Sequence, residues 1–475
     1  MAQSGEHWGQ DTKSLQLFLD IYKMPSTKCY GKFTITVLSC LTALLYLVLL
    51  YFIPRSNFFA TYLSFFLLFA SYFYLVKNEQ LFSFKFCIAL AVLFRLFAVF
   101  SLPALSDDYF RFIWDGKIFL HHVNPFSFTP KEYLSTHTDS HLEFLYNNLI
   151  PESQESYTIY PAVLQYIFAI AAKLFPANPY GAAVVMKLFI LMAECYTLYG
   201  LLLLLKLKNI SSRNILWYAL NPMVIVELTG NVHFEALMIC FLIFTFYFLE
   251  RNKTVLSALF WALAICSKIL PLMLAPLFLM YLGFWRFLKT GLLTVIFTTV
   301  LFIPLIDHQL FAHLSNSVSK YYNLFEFNGS FYYIFVRTSK LFSDNDYSAQ
   351  IASMLGAIAL MLILFISFFR FKKEVLFEKA LWIFFIYLLS AAIVHPWYIS
   401  TLVALSVFSK FKFPIIFSLL ILLSYFPYWL KVYDENMWII LLEYLLLWLY
   451  VFYEWKSNKT LKPLLLSGTV PGKLF

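Results

Sequence analysis

The chain has 475 residues, of which 61% are hydrophobic and 13% charged, with 55 phenylalanines against 13 glycines. An average soluble domain carries roughly a quarter charged residues, so a water-soluble globule is excluded. The net charge of +9 does not indicate a nucleic-acid partner, because the Lys and Arg residues sit in short connections between apolar runs.

In chain order, residues 1–32 are polar and mildly basic, with no cleavage-site pattern, and read as a cytoplasmic segment. Apolar intervals then follow at 33–53, 57–76, 84–102, 182–205, 213–229, 233–250, 254–268, 270–285, 291–306, 348–370, 376–394, 397–409, 413–430 and 437–455. About 20 apolar residues span the hydrocarbon. Continuous runs, rather than short alternating ones, favour helices over a β-barrel. The expectation is an all-α integral membrane protein, a polytopic helical bundle of about 12–14 transmembrane helices over residues 33–455, followed by a cytoplasmic tail at 456–475. The pair 254–285 and the interval 397–409 are short enough to be tilted, broken or re-entrant. Of the six cysteines, all but Cys29 fall in apolar runs without metal or disulfide spacing. They read as small buried hydrophobes.

Charge orients the bundle. With a cytoplasmic N-terminus, the clusters Lys206/Lys208/Arg213, Arg370/Lys372/Lys373 and Lys410/Lys412 fall inside, as the positive-inside rule requires. Residues 158–176 resemble a further span, but counting them as one would invert every later connection. They are therefore expected to form a helix lying in the outer interface. Two long outer loops result, at 103–180 and 307–347.

The first outer loop opens on Ser106-Asp107-Asp108-Tyr109-Phe110-Arg111, continuing to Asp115. Two adjacent carboxylates at a membrane surface are costly unless paired or used. On a helix beginning at Asp108, residues Asp108, Arg111 and Asp115 share a face, so that Arg111 would orient the acids and Asp115 would orient Arg111. Further polar points fall at outer ends of spans: Glu227, Asn231, His233 and Glu235 around a break signalled by Asn221-Pro222 and Gly230, then Lys268, Arg337 and His395-Pro396-Trp397-Tyr398. A carboxylate suits proton removal from a hydroxyl, cations suit a phosphate, and aromatic rings suit a sugar. No closed ligand set for a divalent metal is evident, no cofactor is implied, and metal dependence stays open.

The run SDDYFRFIWDGKIFLHHVNPF, with IYP at 159–161, NPMVIVELTGNVHFEALM at 221–238, CSKILPLMLAPL at 266–277, FEFNGSFYYIF at 325–335 and HPWY at 395–398, resembles the GT-C glycosyltransferases, in particular the bacterial branch of polyprenol-phosphate-mannose-dependent mannosyltransferases. The resemblance spans roughly residues 85–430. It implies inverting transfer of a sugar, mannose foremost, from a polyprenyl-phosphate donor to a glycan, lipid or protein acceptor. The reaction would take place on the outer side of a bacterial inner membrane. It further implies a first-loop acid as general base, matching Asp107 or Asp108 with Asp107 preferred. Lys268, Arg337 and His395 would lie near the lipid phosphate, with Arg111, Asp115, Tyr160, His233 and Glu235 around the substrate. Many relatives carry the acidic loop after the first span, whereas here it follows the third. A lipid-linked glycan polymerase or ligase and a transporter or flippase are the competing readings. The acids at a loop start and the lack of an inverted repeat weigh against the transporter.

Overall fold

The computed structural model describes residues 27–324, 326–430 and 434–458. Most of the expected N-terminal segment and nearly all of the tail lie outside the described residues. The described chain is helical, and among these residues the sole extended pairing is one parallel bridge between Phe327 and Ile393. The principal helices are α1 (Thr27–Tyr51), α2 (Phe58–Lys77), α3 (Phe84–Val99), α4 (Asp108–Leu120), α5 (Ala162–Leu174), α6 (Pro179–Leu207), α7 (Glu235–Glu250), α8 (Thr254–Ile265), α9 (Phe284–Phe302), α10 (Phe331–Ser339), α11 (Ser348–Phe368), α12 (Leu376–Ser390) and α13 (Met437–Ser457).

Local chemistry sets several of these starts. Asn57 accepts from the Ala60 amide, Ser83 from Phe86 and Asn178 from Gly181, with Pro179 in the first turn of α6. These N-caps occupy amides that the first helical turn leaves without partners.

Among the described residues, six helices are long and apolar enough to cross a bilayer: Thr34–Tyr51, Phe58–Lys77, Pro179–Leu207, Phe284–Leu305, Ser348–Phe368 and Met437–Ser457. Large apolar side chains point outward along them, such as Leu292, Val295 and Val300 on α9 and Leu360, Met361 and Phe365 on α11. Exposure on that scale requires a bilayer, and the protein is a multi-pass membrane protein.

The other expected spans are shorter or broken, and prolines account for several of the breaks. Pro222 opens a short helix that passes into a π-helical stretch over Ile225–Gly230, after which α7 departs at 115°. The 270–285 interval splits into a 3-10 turn, Leu270–Leu274, and a helix, Ala275–Leu282, which ends at Gly283 with φ +75°. The 397–409 interval is a 3-10 turn at Pro396–Tyr398 and a short helix, Ile399–Ser406. The 413–430 interval becomes 3-10 over Ile421–Trp429, with Pro427 inside. The expected helix within 158–176 forms as α5, about 20 Å long and too short to cross the hydrocarbon. One expectation is corrected. Cys87, Cys240 and Cys266 are buried, but Cys40 and Cys195 face outward. On a lipid-facing helix the outer side is also apolar, so an apolar residue need not turn inward.

Some charges in the interior are closely partnered. Arg95 of α3 donates from Nε and Nη2 to Glu194 of α6 (2.9 and 2.8 Å), and from Nη1 to the Ala91 and Ala219 carbonyls. Tyr218 donates to the other Glu194 oxygen. Lys187 donates to the carbonyls of Ala98 and Ser101, closing the C-terminal end of α3.

The long loops meet at one end of the bundle. Asp307 accepts from Asn124 (2.9 Å) and Ser127 (2.6 Å), and the ring of His313 stacks on Tyr157 at 3.9 Å. At the opposite end Lys208 pairs with Glu250, Arg213 donates to the carbonyls of Glu79 and Phe82, and the Lys412 amide donates to Glu454.

Helices α4 and α5 cross at backbone contact. A Cβ on Gly116 would stand 2.3 Å from the Phe168 carbonyl oxygen. Phe112 stacks on Phe168 at 4.7 Å, and Phe234 lies against both rings. Since the backbone on the far side cannot yield cheaply, Gly116→Ala should destabilise the protein by about 1–3 kcal/mol. A melting curve in detergent identical to that of the unsubstituted protein would contradict this crossing.

Candidate functional site

Six chain segments converge at the end that carries the long loops: the α1–α2 turn, the start of α4, the break before α7, the connection after α8, and the segments around 395–398 and 421–429. Asp107 is the N-cap residue of α4 and Asp108 its first residue. The segment before them is held by Asn231, whose Oδ1 accepts from the Leu105 amide at 3.1 Å.

Asp107 is half-exposed and forms an ion pair with Arg55 (Nη1 to Oδ2, 2.6 Å). Arg55 also lies over the ring of Tyr428, 5.4 Å from its centroid. Asp108 turns inward, and its amide donates to Ser106 Oγ at 3.3 Å. Burial, followed by the negative charges of Glu235 and Asp107, pushes the Asp108 carboxyl up to about 6, against the opposing pull of Ser106 and Lys268. Asp108 thus lies within electrostatic reach of Asp107 and of the ion pair that Glu235 forms with Lys268. Lys268 itself sits 3.8 Å from the centroid of the Tyr398 ring, a cation–π contact.

Behind this front the break before α7 carries a second polar group. Buried Glu227 accepts from Asn231 Nδ2 at 3.3 Å, and its Oε2 lies 3.7 Å from His233 Nε2. The His233 ring stacks on Trp397 (3.5 Å), which stacks in turn on His395 (4.3 Å). His395 also meets Phe327, whose backbone is bonded to Ala392 and Val394. Between Asn231 and His233, the buried β-branched Val232 adopts φ +63°, a conformation that costs energy and that clusters at functional positions. The π-helical turn just before it belongs to the same class of feature.

The structure therefore brings together Asp107, Asp108, Glu235 and Lys268, with His233 and His395 joined through Trp397. It places the remaining predicted residues elsewhere. Arg111 and Asp115 do pair (2.8 Å), but Arg111 also donates to the Ser153 and Ser156 carbonyls, and Asp115 accepts from Thr158 and Gln165. The pair pins the 151–165 segment to α4 rather than orienting the two acids. Tyr160 packs its ring on Phe112 at 4.9 Å. Arg337 is exposed on α10, and the carboxyl that feels its charge is Glu435, not a member of this cluster. Arg55 and Tyr428 also stand in this cluster, and the sequence reading did not single them out. The available signal for Arg55 was a lone cation in a very short connection on the side that the positive-inside rule leaves poor in basic residues.

Residues 40–283 match the model of a family described as alpha-(1->6)-mannopyranosyltransferase, N-terminal domain, and that interval exceeds half the chain. The chain belongs to this family. No curated protein matches it. As a mannosyltransferase-family protein it is a glycosyltransferase, and the matched interval holds Arg55, Asp107, Asp108, Glu227, His233, Glu235 and Lys268. The cluster also draws on Trp397, Tyr398 and Tyr428 from beyond that interval.

A carboxyl pushed up by burial carries its charge at a cost to folding. Asp108 is neutral well below pH 6 and ionised above it, so the penalty grows as pH rises through that value. Asp108→Asn should therefore stabilise the mannosyltransferase at pH 8 by on the order of 1 kcal/mol, after allowing for partial exposure, while lowering activity. The gain should vanish near pH 4. Melting temperatures of the two proteins at both pH values test this, and a variant less stable at pH 8 would contradict it.

Proposed function

We propose that this protein moves mannose from a polyprenyl-phosphate donor to an acceptor hydroxyl, with inversion at C1, on the extracytoplasmic face of the membrane. The observation that carries the reading is the juxtaposition of the Asp107/Asp108 carboxylates with Lys268 at one end of an apolar bundle. A proton acceptor and a cation for a departing phosphate stand together where a lipid-linked donor can reach both. The sidedness is supported by the gathering of Lys208, Arg213 and Lys412 at the opposite end.

In this reading Asp107, the more open of the two acids, accepts the proton of the acceptor hydroxyl through a carboxylate oxygen. The acceptor oxygen forms a bond to C1 as the bond from C1 to the phosphate oxygen breaks, and the lipid phosphate leaves with the electron pair. Lys268 stabilises that phosphate by exchanging part of its contact with Glu235 for the incoming anion, while the Tyr398 ring keeps its cation–π contact with the ammonium. No general acid is required, because a phosphate is already a stable anion. His233, Trp397 and His395 form an aromatic wall suited to a sugar face. A β-linked donor then gives an α-linked product, and the α-(1→6) linkage in the family's description supports a reacting hydroxyl at C6 of an acceptor mannoside.

The test is transfer of label from polyprenyl-phosphate mannose by the purified protein. Asp107→Asn should lower kcat by at least about a hundredfold, the scale of a lost general base. Lys268→Gln should raise the donor KM by about tenfold, as expected of a lost charge-assisted contact. An Asp107→Asn protein that turns over at the unsubstituted rate would reject that residue as base, and an unchanged donor KM would reject the role given to Lys268.

A further inference from the structure

The helix pair α1–α2 precedes the rest of the site in sequence, and its connecting turn reaches into it. The ends of that turn are tied down. Tyr51 donates to the Phe97 carbonyl at 2.8 Å, the Asn57 amide donates to Pro54 at 2.9 Å, and Asn57 caps α2. Its flank is docked by rings, Phe58 edge-on to Phe426 at 5.3 Å and Phe59 edge-on to Trp429 at 5.3 Å. Arg55 projects from this anchored turn. It makes a single-nitrogen contact with Asp107 Oδ2 and lies over Tyr428, whose hydroxyl in turn meets the Leu105 carbonyl at 3.4 Å. Arg55 and Tyr428 thus bracket the short segment that carries the acids.

The Arg55 and Asp107 side chains are 41% and 39% exposed. An ion pair that open adds little to folding, and the turn is already held by apolar contacts and caps. What the pair does fix is the direction of one carboxylate oxygen.

We propose that Arg55 is a positioning residue for the transfer. It holds Oδ2 of Asp107 so that Oδ1 is presented to the acceptor hydroxyl, which makes the α1–α2 pair part of the catalytic apparatus. The proposal rests on Asp107 being the proton acceptor. Positioning a reacting group contributes to the rate of the chemical step and not to donor affinity. Because the contact uses one nitrogen, a lysine can reproduce it in part, which would not hold for a two-pronged arginine contact.

The experiment measures kcat and donor KM for the full-length protein in detergent with polyprenyl-phosphate mannose. The variants are Arg55→Gln, Arg55→Lys, Asp107→Asn and the double substitution Arg55→Gln/Asp107→Asn. Arg55→Gln should lower kcat by roughly 10- to 100-fold, with donor KM within about twofold and melting unchanged. Arg55→Lys should recover most of that loss. The double variant should be no slower than Asp107→Asn alone, since the two residues act as one unit. An unaltered kcat in Arg55→Gln, or a donor KM raised tenfold with kcat retained, would overturn the proposal, the latter by making Arg55 a donor-phosphate ligand. The two readings fail separately. A fully active Asp107→Asn removes the base assignment, whereas an inactive Asp107→Asn beside a normal Arg55→Gln removes only the role of Arg55.

Discussion

Inside a bilayer no water is available to a free backbone amide or carbonyl, so a helix can be interrupted only where other protein surrounds the break. This chain interrupts its helices repeatedly, and the interruptions that matter share one end of the bundle. The π-helical turn before α7, the connection after α8, the 3-10 turn at Pro396–Tyr398 and the 3-10 stretch Ile421–Trp429 all supply residues to the site. The breaks are what allow Glu235, Lys268, Tyr398 and Tyr428 to approach the start of α4 from different directions. Uninterrupted spans would have kept those side chains on separate helix faces.

The same constraint separates charge sealed in the interior from charge at the broken-helix end of the bundle. Arg95, Glu194 and Tyr218 lie in the interior and satisfy one another directly. Removing a partner there strands a buried charge, which typically costs 3–5 kcal/mol, and the group has no opening to a substrate. Asp107, Asp108 and Lys268 are partnered too, but at a surface where a partner can be exchanged for an incoming group. The positive φ of Val232 and the raised Asp108 carboxyl are costs borne at this place, as expected where a fold trades stability for chemistry.

Much of this was legible in the sequence. Apolar runs marked the helices, basic clusters marked one end of the bundle, and the adjacency of Asp107 and Asp108 marked the loop start that became the centre of the site. Glu235 and Lys268 were singled out from opposite sides of α8 and prove to be partners. What was not legible has physical causes. Hydropathy registers composition, not backbone breaks, so 413–430 reads as a span although Pro427 and 3-10 geometry interrupt it. Helical spacing correctly joined Arg111 to Asp115, but it could not show that the carbonyls of Ser153 and Ser156 take up Nη1 of the guanidinium. Arg55 lies 52 residues from Asp107, and only the tertiary docking of the α1–α2 turn reveals the pair.

The central claim is that the broken-helix end of the bundle works on a lipid-phosphate sugar. The most direct measurement supplies the purified protein with an α-(1→6)-linked mannoside acceptor and either labelled polyprenyl-phosphate mannose or labelled nucleoside-diphosphate mannose. The account predicts label in an α-linked product from the lipid-phosphate donor and none from the nucleotide donor. Transfer from the nucleotide donor alone, or a β-linked product from a β-linked lipid donor, would contradict it.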